Sequence, residues 1–253
     1  MEKQVLISKN GGVGTLTLNR TKRHNSLVPE FLQDILSCFD KLSSDHQVQV
    51  IIIQANGKTF STGGDVASFL AHKESLTAYS ESVVGTLNEL IMAIIECPKP
   101  VITAVHGMVT GGSIGLVLAA DIVLVSSRAS FTPYYATVGY SPDGGWSALL
   151  PSIIGSKRTA HVLMTDSTIS AQQAFEWGIA SKVVHHEDIR SEAIDLAHQL
   201  TKQNFGTLVH TKKLLSSKDG IQQALIAEHD AFIRQINTEE ALYGMKSFLN
   251  SLQ

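Results

Sequence analysis

Apolar positions change their spacing several times along this chain, and each change predicts an element. Residues 5–8 and 15–19 are short β-rich runs separated by Gly11, Gly12 and Gly14, which reads as a hairpin. From Pro29, the apolar residues Phe31, Leu32, Ile35, Leu36, Phe39 and Leu42 recur at helical spacing. Residues 48–54 form a strand whose apolar run from Val50 to Ile53 is unbroken, as expected where both faces of a sheet are covered. The polar stretch 68–82 is expected to be mobile. An amphipathic helix over 84–96 follows it, stopped by Pro98 and Pro100. Residues 101–105 and 122–125 read as buried strands, with a Gly-rich turn and a short helix at 113–119 between them. Ser170 caps a helix over 171–177 that Gly178 ends, and Val183-Val184 is the last strand.

From Glu187 onward every strong pattern is helical, over 189–202, 207–215, 221–234 and 239–252. Alternating β and α units followed by a helical tail predict an α/β core over 1–190 and a helical segment over 191–253. The tail carries apolar faces that such a core does not fully cover, so a self-association surface is expected there.

Composition narrows the partners. With 253 residues, 43% of them hydrophobic, the chain supports one substantial core. A net charge of −3 with scattered basic residues gives no footprint for nucleic acid. Cys38 and Cys97, each in an apolar helical pattern, suit a reducing compartment. His185-His186 has no partners at metal-ligand spacing. The most apolar stretch, 101–125, contains His106, Asp121, Ser113 and four glycines, which argues against a membrane span. The opening Met1-Glu2-Lys3-Gln4 lacks the layout of a secretion signal, so a cytoplasmic location is expected.

Two Gly-rich turns, Gly63-Gly64 and Gly111-Gly112, each follow an apolar strand and precede a helical stretch. They are either ordinary tight turns or a source of unpaired N–H groups for an oxyanion. The second turn fails the dinucleotide fingerprint, because Gly107, Gly111, Gly112 and Gly115 have the wrong register. Gly111-Gly112-Ser113-Ile114-Gly115 does match the short nucleophile-elbow pattern, with Asp143, Asp166 and His210 downstream in hydrolase order.

A third template is more specific. Leu18-Asn19-Arg20 through Asn25-Ser26-Leu27 resembles the "LNRP…NAL" segment of the crotonase (enoyl-CoA hydratase/isomerase) superfamily, and Phe60 to Asp65 resembles its "FxxGxD". Residues 98–113 resemble "KPvIAAVnG…GGG", Asp121 matches "cDi", and Pro142-Asp143-Gly144-Gly145 and the run 170–184 fall in order. The resemblance implies a crotonase-like ββα spiral core with a C-terminal helical oligomerisation segment, assembled as a homotrimer or a dimer of trimers. It implies an acyl-CoA substrate, with coenzyme A as part of the substrate and no separate cofactor or metal.

By resemblance, the backbone N–H groups of Gly64 and Gly112 form an oxyanion hole. Lys22, Arg23, His24 and Thr62 line the path of the CoA nucleotide and pantetheine, with Gly63, Asp65 and Gly111 beside them. Asp65, Asp121 and Asn25 read equally as bracing residues. The two glutamates that carry water addition in the hydratases correspond here to Gly115 and Tyr135, neither of which can exchange a proton as they do. Asp143 stands where several enoyl-CoA isomerases place a single acid/base, closest in motif to the phenylacetate ring-isomerase type. An aryl-CoA dehalogenase places a nucleophile there, with His106 as a loose supporting candidate, and Asp143 could also make a simple Asx turn. Tyr134, Tyr135, Tyr140 and Trp146 would give a bulky acyl pocket or else pack the core. The expectation is an enoyl-CoA isomerase. The alternatives are a hydratase or other CoA lyase with a non-standard base, and a non-catalytic acyl-CoA-binding homologue.

Overall fold

The computed structural model describes residues 3–215 and 220–251. Strands β1 (Val5–Asn10) and β2 (Val13–Leu18) make the expected hairpin, and β2 then pairs in parallel with β3 (Val50–Ala55). The sheet continues in parallel through β4 (Val101–Val105) and β6 (Ile122–Ser126) to β9 (Lys182–Val184). A second, smaller sheet joins β5 (Met108–Thr110), β7 (Ser130–Thr132) and β8 (Ile169–Ser170).

Strand periodicity explains the unbroken apolar runs. Leu16, Ile51, Ile53, Val101, Val105 and Val125 face one core, shared with the helices α1 (Pro29–Ser44) and α3 (Leu76–Glu96). Their neighbours Val13, Val50, Ile52, Ile102, Ala104 and Leu124 face the other, covered by Ile189, Ala193 and Ala197 of α9 (Ile189–Thr201). Both sets are buried, and the polar Thr103 within β4 is buried with them, its hydroxyl donating to the Leu116 carbonyl. The expected boundary at residue 190 falls within α9, and this helix lies with the core.

The stretch 68–82 is mostly helical, contrary to the expected mobile segment. Asp65 caps α2 (Val66–Ala71) by accepting from the Ser68 N–H, and α3 begins at Leu76. Leu76, Ser80 and Val83 are buried, and the Tyr79 ring meets Phe69 edge-on at 5.2 Å. One buried residue per turn was too sparse an apolar signal to read through the polar positions between them.

Short helices α4 (Gly115–Leu118), α5 (Tyr135–Val138), α6 (Leu150–Ile154), α7 (Ser156–Thr165) and α8 (Ala171–Glu176) connect the strands. Ser170 and Gln173 form a complete capping box on α8. The tail comprises α10 (Phe205–Leu215), α11 (Ile221–Ile236) and α12 (Glu239–Ser251); the last residue of the helix expected over 239–252 lies outside the described residues. Lys212 ties α10 to the core. Its buried ammonium donates to the carbonyls of Ile94 and Lys99 and pairs with Asp121 at 2.8 Å, while Asp121 also accepts from Val101 N–H. Asp121 is thus a brace. Helix α11 packs on α3, and α12 packs on α2 and α5. Among the described residues no helix is long and apolar enough to cross a membrane, and no three His, Cys, Asp or Glu side chains cluster as metal ligands.

Candidate active site

The two Gly-rich turns meet at the ends of parallel strands. Phe60 and Ser61 pair with β5 through Phe60 N–H to Met108 O and Thr110 N–H to Ser61 O. Gly63 has φ 67°, and a Cβ there would collide with the Thr110 carbonyl, so only glycine allows this approach. Leu27 N–H donates to Gly63 O and Asp65 N–H to Leu27 O, a bridge that steps over Gly64. Among the described residues, no acceptor engages the N–H of Gly64 or of Gly112. Asn25, at φ 53° and fully buried, braces the preceding loop by accepting from Arg20 N–H and donating to the carbonyls of Asn56 and Phe60. Ser113 is not an exposed nucleophile. It is fully buried, and its hydroxyl faces the carbonyls of Thr110 (2.7 Å) and Ser61 (3.2 Å).

Asp143 lies directly against the second turn. A Cβ on Gly112 would sit 3.0 and 3.1 Å from the two Asp143 carboxylate oxygens, and a Cβ on Gly144 would collide with the Gly112 backbone. The Tyr135 hydroxyl is 2.5 Å from Asp143 Oδ1. Burial pushes the Asp143 carboxyl up to about 7; the Tyr135 hydrogen bond opposes that rise and the charge of Glu228 adds to it. A buried carboxyl near 7 is partly ionised at neutral pH, the condition for moving a proton in both directions.

Glu228 was not anticipated. From α11 its buried carboxylate accepts from the N–H groups of Gly145 (2.8 Å), Ser147 (2.6 Å) and Ala148 (2.8 Å) and from the Ser147 hydroxyl (2.8 Å). It organises the turn just after Asp143, with both of its oxygens accepting from that turn. Its signal in the sequence is a carboxylate in a buried stripe with Leu225, Phe232 and Ile236, at spacings of three and four.

A cavity of about 680 Å³ opens over these groups. Its mouth carries Lys22, Arg23, His24 and Thr62, its floor Gly64, Gly111, Gly112 and Asp143, and its walls Phe69, Leu87, Tyr134, Tyr135, Tyr140, Phe232, Phe248 and Leu249. The tail helices α11 and α12 therefore line the cavity through Phe232, Phe248 and Leu249, a role the sequence patterns did not reveal. Asp65 lines the cavity but is already committed. Burial raises its carboxyl, yet hydrogen bonds from Arg23 (2.8 Å) and Ser26 (3.0 Å) outweigh this and hold it below the usual range. Gly63 and Trp146 do not line the cavity. Trp146 is fully buried behind the turn and donates Nε1–H to the Gly111 carbonyl at 2.9 Å, so it supports that turn and is not a wall of the acyl pocket. His106 is also outside, with Nε2 on the Gly57 carbonyl at 3.0 Å. At the two hydratase positions, Gly115 has no room for a side chain, since a Cβ would collide with Ile91 and meet Gly144 O at 2.8 Å. Tyr135 is the other.

Comparison with known proteins agrees with this geometry. The profile of the enoyl-CoA hydratase/isomerase family matches residues 8–253, and the chain belongs to that family. The trans-2-decenoyl-[acyl-carrier-protein] isomerase of Streptococcus mutans is 34% identical over 74% of this chain and 72% of its own length. The 1,2-epoxyphenylacetyl-CoA isomerase of Escherichia coli is 32% identical over 81% and 79%, and the 4-chlorobenzoyl coenzyme A dehalogenase-2 of an Arthrobacter species 30% over 79% and 72%. An enoyl-CoA hydratase structure from Bacillus halodurans superposes with a TM-score of 0.90, covering 97% of this chain and 100% of that one at 22% identity, which establishes the fold alone. The crotonase-type α/β core with a helical C-terminal region is thus observed.

Proposed function

We propose that this protein is an enoyl-thioester isomerase that shifts a C=C bond in an acyl-CoA, with Asp143 as its one proton carrier. The observation that carries this reading is a buried carboxyl, its proton affinity raised by burial, with both oxygens set against the backbone of Gly112. The unpaired N–H groups of Gly64 and Gly112 would hold the thioester oxygen as charge develops on it, an effect worth about 10²–10³ in rate per donor. The Asp143 carboxylate removes a proton from the carbon next to the thioester of a 3-enoyl substrate. The electrons spread over a dienolate, and the new carboxylic acid returns the proton two carbons further out, giving the 2-enoyl product.

Water addition draws no support from the site. Gly115 cannot be replaced by a carboxylate without displacing Ile91, and Glu228 faces the 145–148 turn and not the cavity. The basic mouth at Lys22 and Arg23 suits the nucleotide of CoA, with Arg23 half exposed beyond its pairing with Asp65. Assembly as a trimer, or a dimer of trimers, through the tail is part of the same proposal, and the exposed Leu214, Ile226 and Tyr243 support it.

The test offers 3-enoyl, 2-enoyl and ring-CoA thioesters in deuterated water to the wild type and to Asp143→Asn. Double-bond migration with deuterium entering at the α or γ carbon is expected for the wild type alone. Migration that survives in Asp143→Asn would overturn the assignment.

A further inference from the structure

The proton transfer assigned to Asp143 makes no use of the Tyr135 hydroxyl beside it. That hydroxyl reaches Asp143 twice, at 2.5 Å to Oδ1 and at 3.0 Å to the main-chain carbonyl of the same residue. One donor shared between the side chain and the backbone of a residue fixes the rotamer that joins them. The chain around Tyr135 is arranged to hold it there. Tyr134, just before it, sits at φ 60°, a left-handed conformation that costs a non-glycine residue and persists where its surroundings over-determine it. The N–H groups of Gly139 and Tyr140 both donate to the Tyr135 carbonyl, at 2.8 and 2.9 Å, and close the short helix α5. The hydroxyl also lies beside the second Gly-rich turn, 4.0 Å from where a Cβ on Gly111 would stand. Tyr135 is not itself a proton carrier. Burial, and then the charge of Asp143, push its hydroxyl well above the ordinary tyrosine range, so it stays a donor throughout. Two other titratable groups face Asp143. The charge of Glu228, from α11, adds to the rise of its carboxyl, and the Tyr140 hydroxyl is pushed up by burial and by the Asp143 charge, so it too stays protonated.

We infer that Tyr135 is a positioning residue for the isomerisation, whose hydroxyl fixes the Asp143 carboxyl against the Gly112 turn and directs the travelling proton to Oδ2. This rests on the isomerase reading above. An oxygen that already accepts a hydrogen bond is the less basic of the two in a carboxylate. The proton taken from the α carbon therefore bonds to Oδ2, and the electron pair of the broken C–H bond passes into the dienolate. The new O–H bond breaks when the proton is delivered to the γ carbon, and the Tyr135 proton stays on its own oxygen throughout. Donation to Oδ1 is stronger when the carboxyl is ionised, so it lowers the pH at which Asp143 becomes a base.

The experiment compares the wild type with Tyr135→Phe, which keeps the ring and deletes the hydroxyl; matched melting curves establish that the variant folds. Double-bond migration in a 3-enoyl-CoA is followed across pH, and affinity for the non-reacting hexanoyl-CoA is measured by titration calorimetry. The acid limb of the rate profile is expected to move to higher pH by roughly one pH unit, because the lost hydrogen bond favoured the ionised carboxyl. Turnover on the plateau above that limb is expected to fall roughly 10–100-fold as the carboxyl loses its fixed position, with KM and hexanoyl-CoA affinity unchanged. Carboxyl carbon-13 NMR, with the Asp143 signal assigned by its absence in Asp143→Asn, reads the same shift without turnover. An unmoved Asp143 titration, or a plateau rate equal to that of the wild type, would overturn the inference. So would a loss confined to affinity, which marks a mere wall of the acyl pocket. If Tyr135→Phe does not fold, uniform 3-fluorotyrosine labelling of the wild type, which makes the phenol a stronger donor, is expected to move the limb to lower pH, and an unmoved limb then overturns the inference. An Asp143 titration that moves in a protein whose wild type shifts no double bond would overturn the isomerase reading and leave the coupling of Tyr135 to Asp143 standing.

Discussion

Replacing Asp143 by asparagine should make the protein inactive and, above neutral pH, more stable. The folded protein holds the Asp143 proton up to about pH 7, whereas an unfolded chain releases it near 3.8. The folded state therefore binds the proton more tightly, and stability falls as pH rises from about 4 through about 7; below about 4 both states are protonated and there is no penalty. At about 1.36 kcal/mol per pH unit, the span from 3.8 to about 7 bounds the penalty at about 4 kcal/mol; with local relaxation it is on the order of 2–4 kcal/mol. Asparagine keeps an oxygen for the Tyr135 hydroxyl and carries no charge to desolvate. For a chain of this size the gain corresponds to a rise in Tm of roughly 5–10 °C at about pH 8.5, shrinking towards zero at about pH 4.5. The assay is thermal unfolding of both proteins across that range at one protein concentration. An advantage of equal size at both ends, or no advantage at high pH, would refute the claim that burial of this carboxylate is what raises its affinity for the proton. The outcome expected is a trade of stability for activity at one side chain.

Two further predictions concern its surroundings. Glu228→Gln places an amide N–H against the donors of the 145–148 turn, so unfolding should cost about 1–3 kcal/mol less than in the wild type; because the Glu228 charge helps raise the Asp143 carboxyl, the acid limb of the pH–rate profile should also move to lower pH, and an unmoved limb would disprove that coupling. Gly115→Glu, which restores a hydratase carboxylate in sequence, should neither fold as well as the wild type nor hydrate crotonyl-CoA, because Ile91 and Gly144 fill its space; a stable variant with new hydration measured by loss of enoyl absorbance would contradict the packing argument.

Features confined to a few consecutive residues were legible in the sequence. The doubly buried strands showed as unbroken apolar runs, and the Gly-rich turns and Asp143 could be read from local motifs. Features requiring two distant segments were not. Glu228 acts on a turn some eighty residues away, and only its oddity within an apolar stripe marked it. Trp146 was left open between the pocket and the core, since a local motif fixes neither face, and it lies in the core. The helical content of 68–82 was hidden because Phe69, Leu76 and Val83 find their partners only once the helices pack.

The contact between Gly144 and Gly112 has a wider consequence. With no side chain between them, the two turns rest backbone upon backbone, and this sets the interval from the Gly112 backbone to the main chain of the 143–144 turn. That interval acts as a gauge block, fixed by main-chain thickness and indifferent to rotamers. Changing the side chains at 135 or 143 exchanges the tool without re-zeroing the instrument. A frame built this way lets the side chains at 135 and 143 vary while the Gly112 and Gly144 backbones stay in contact.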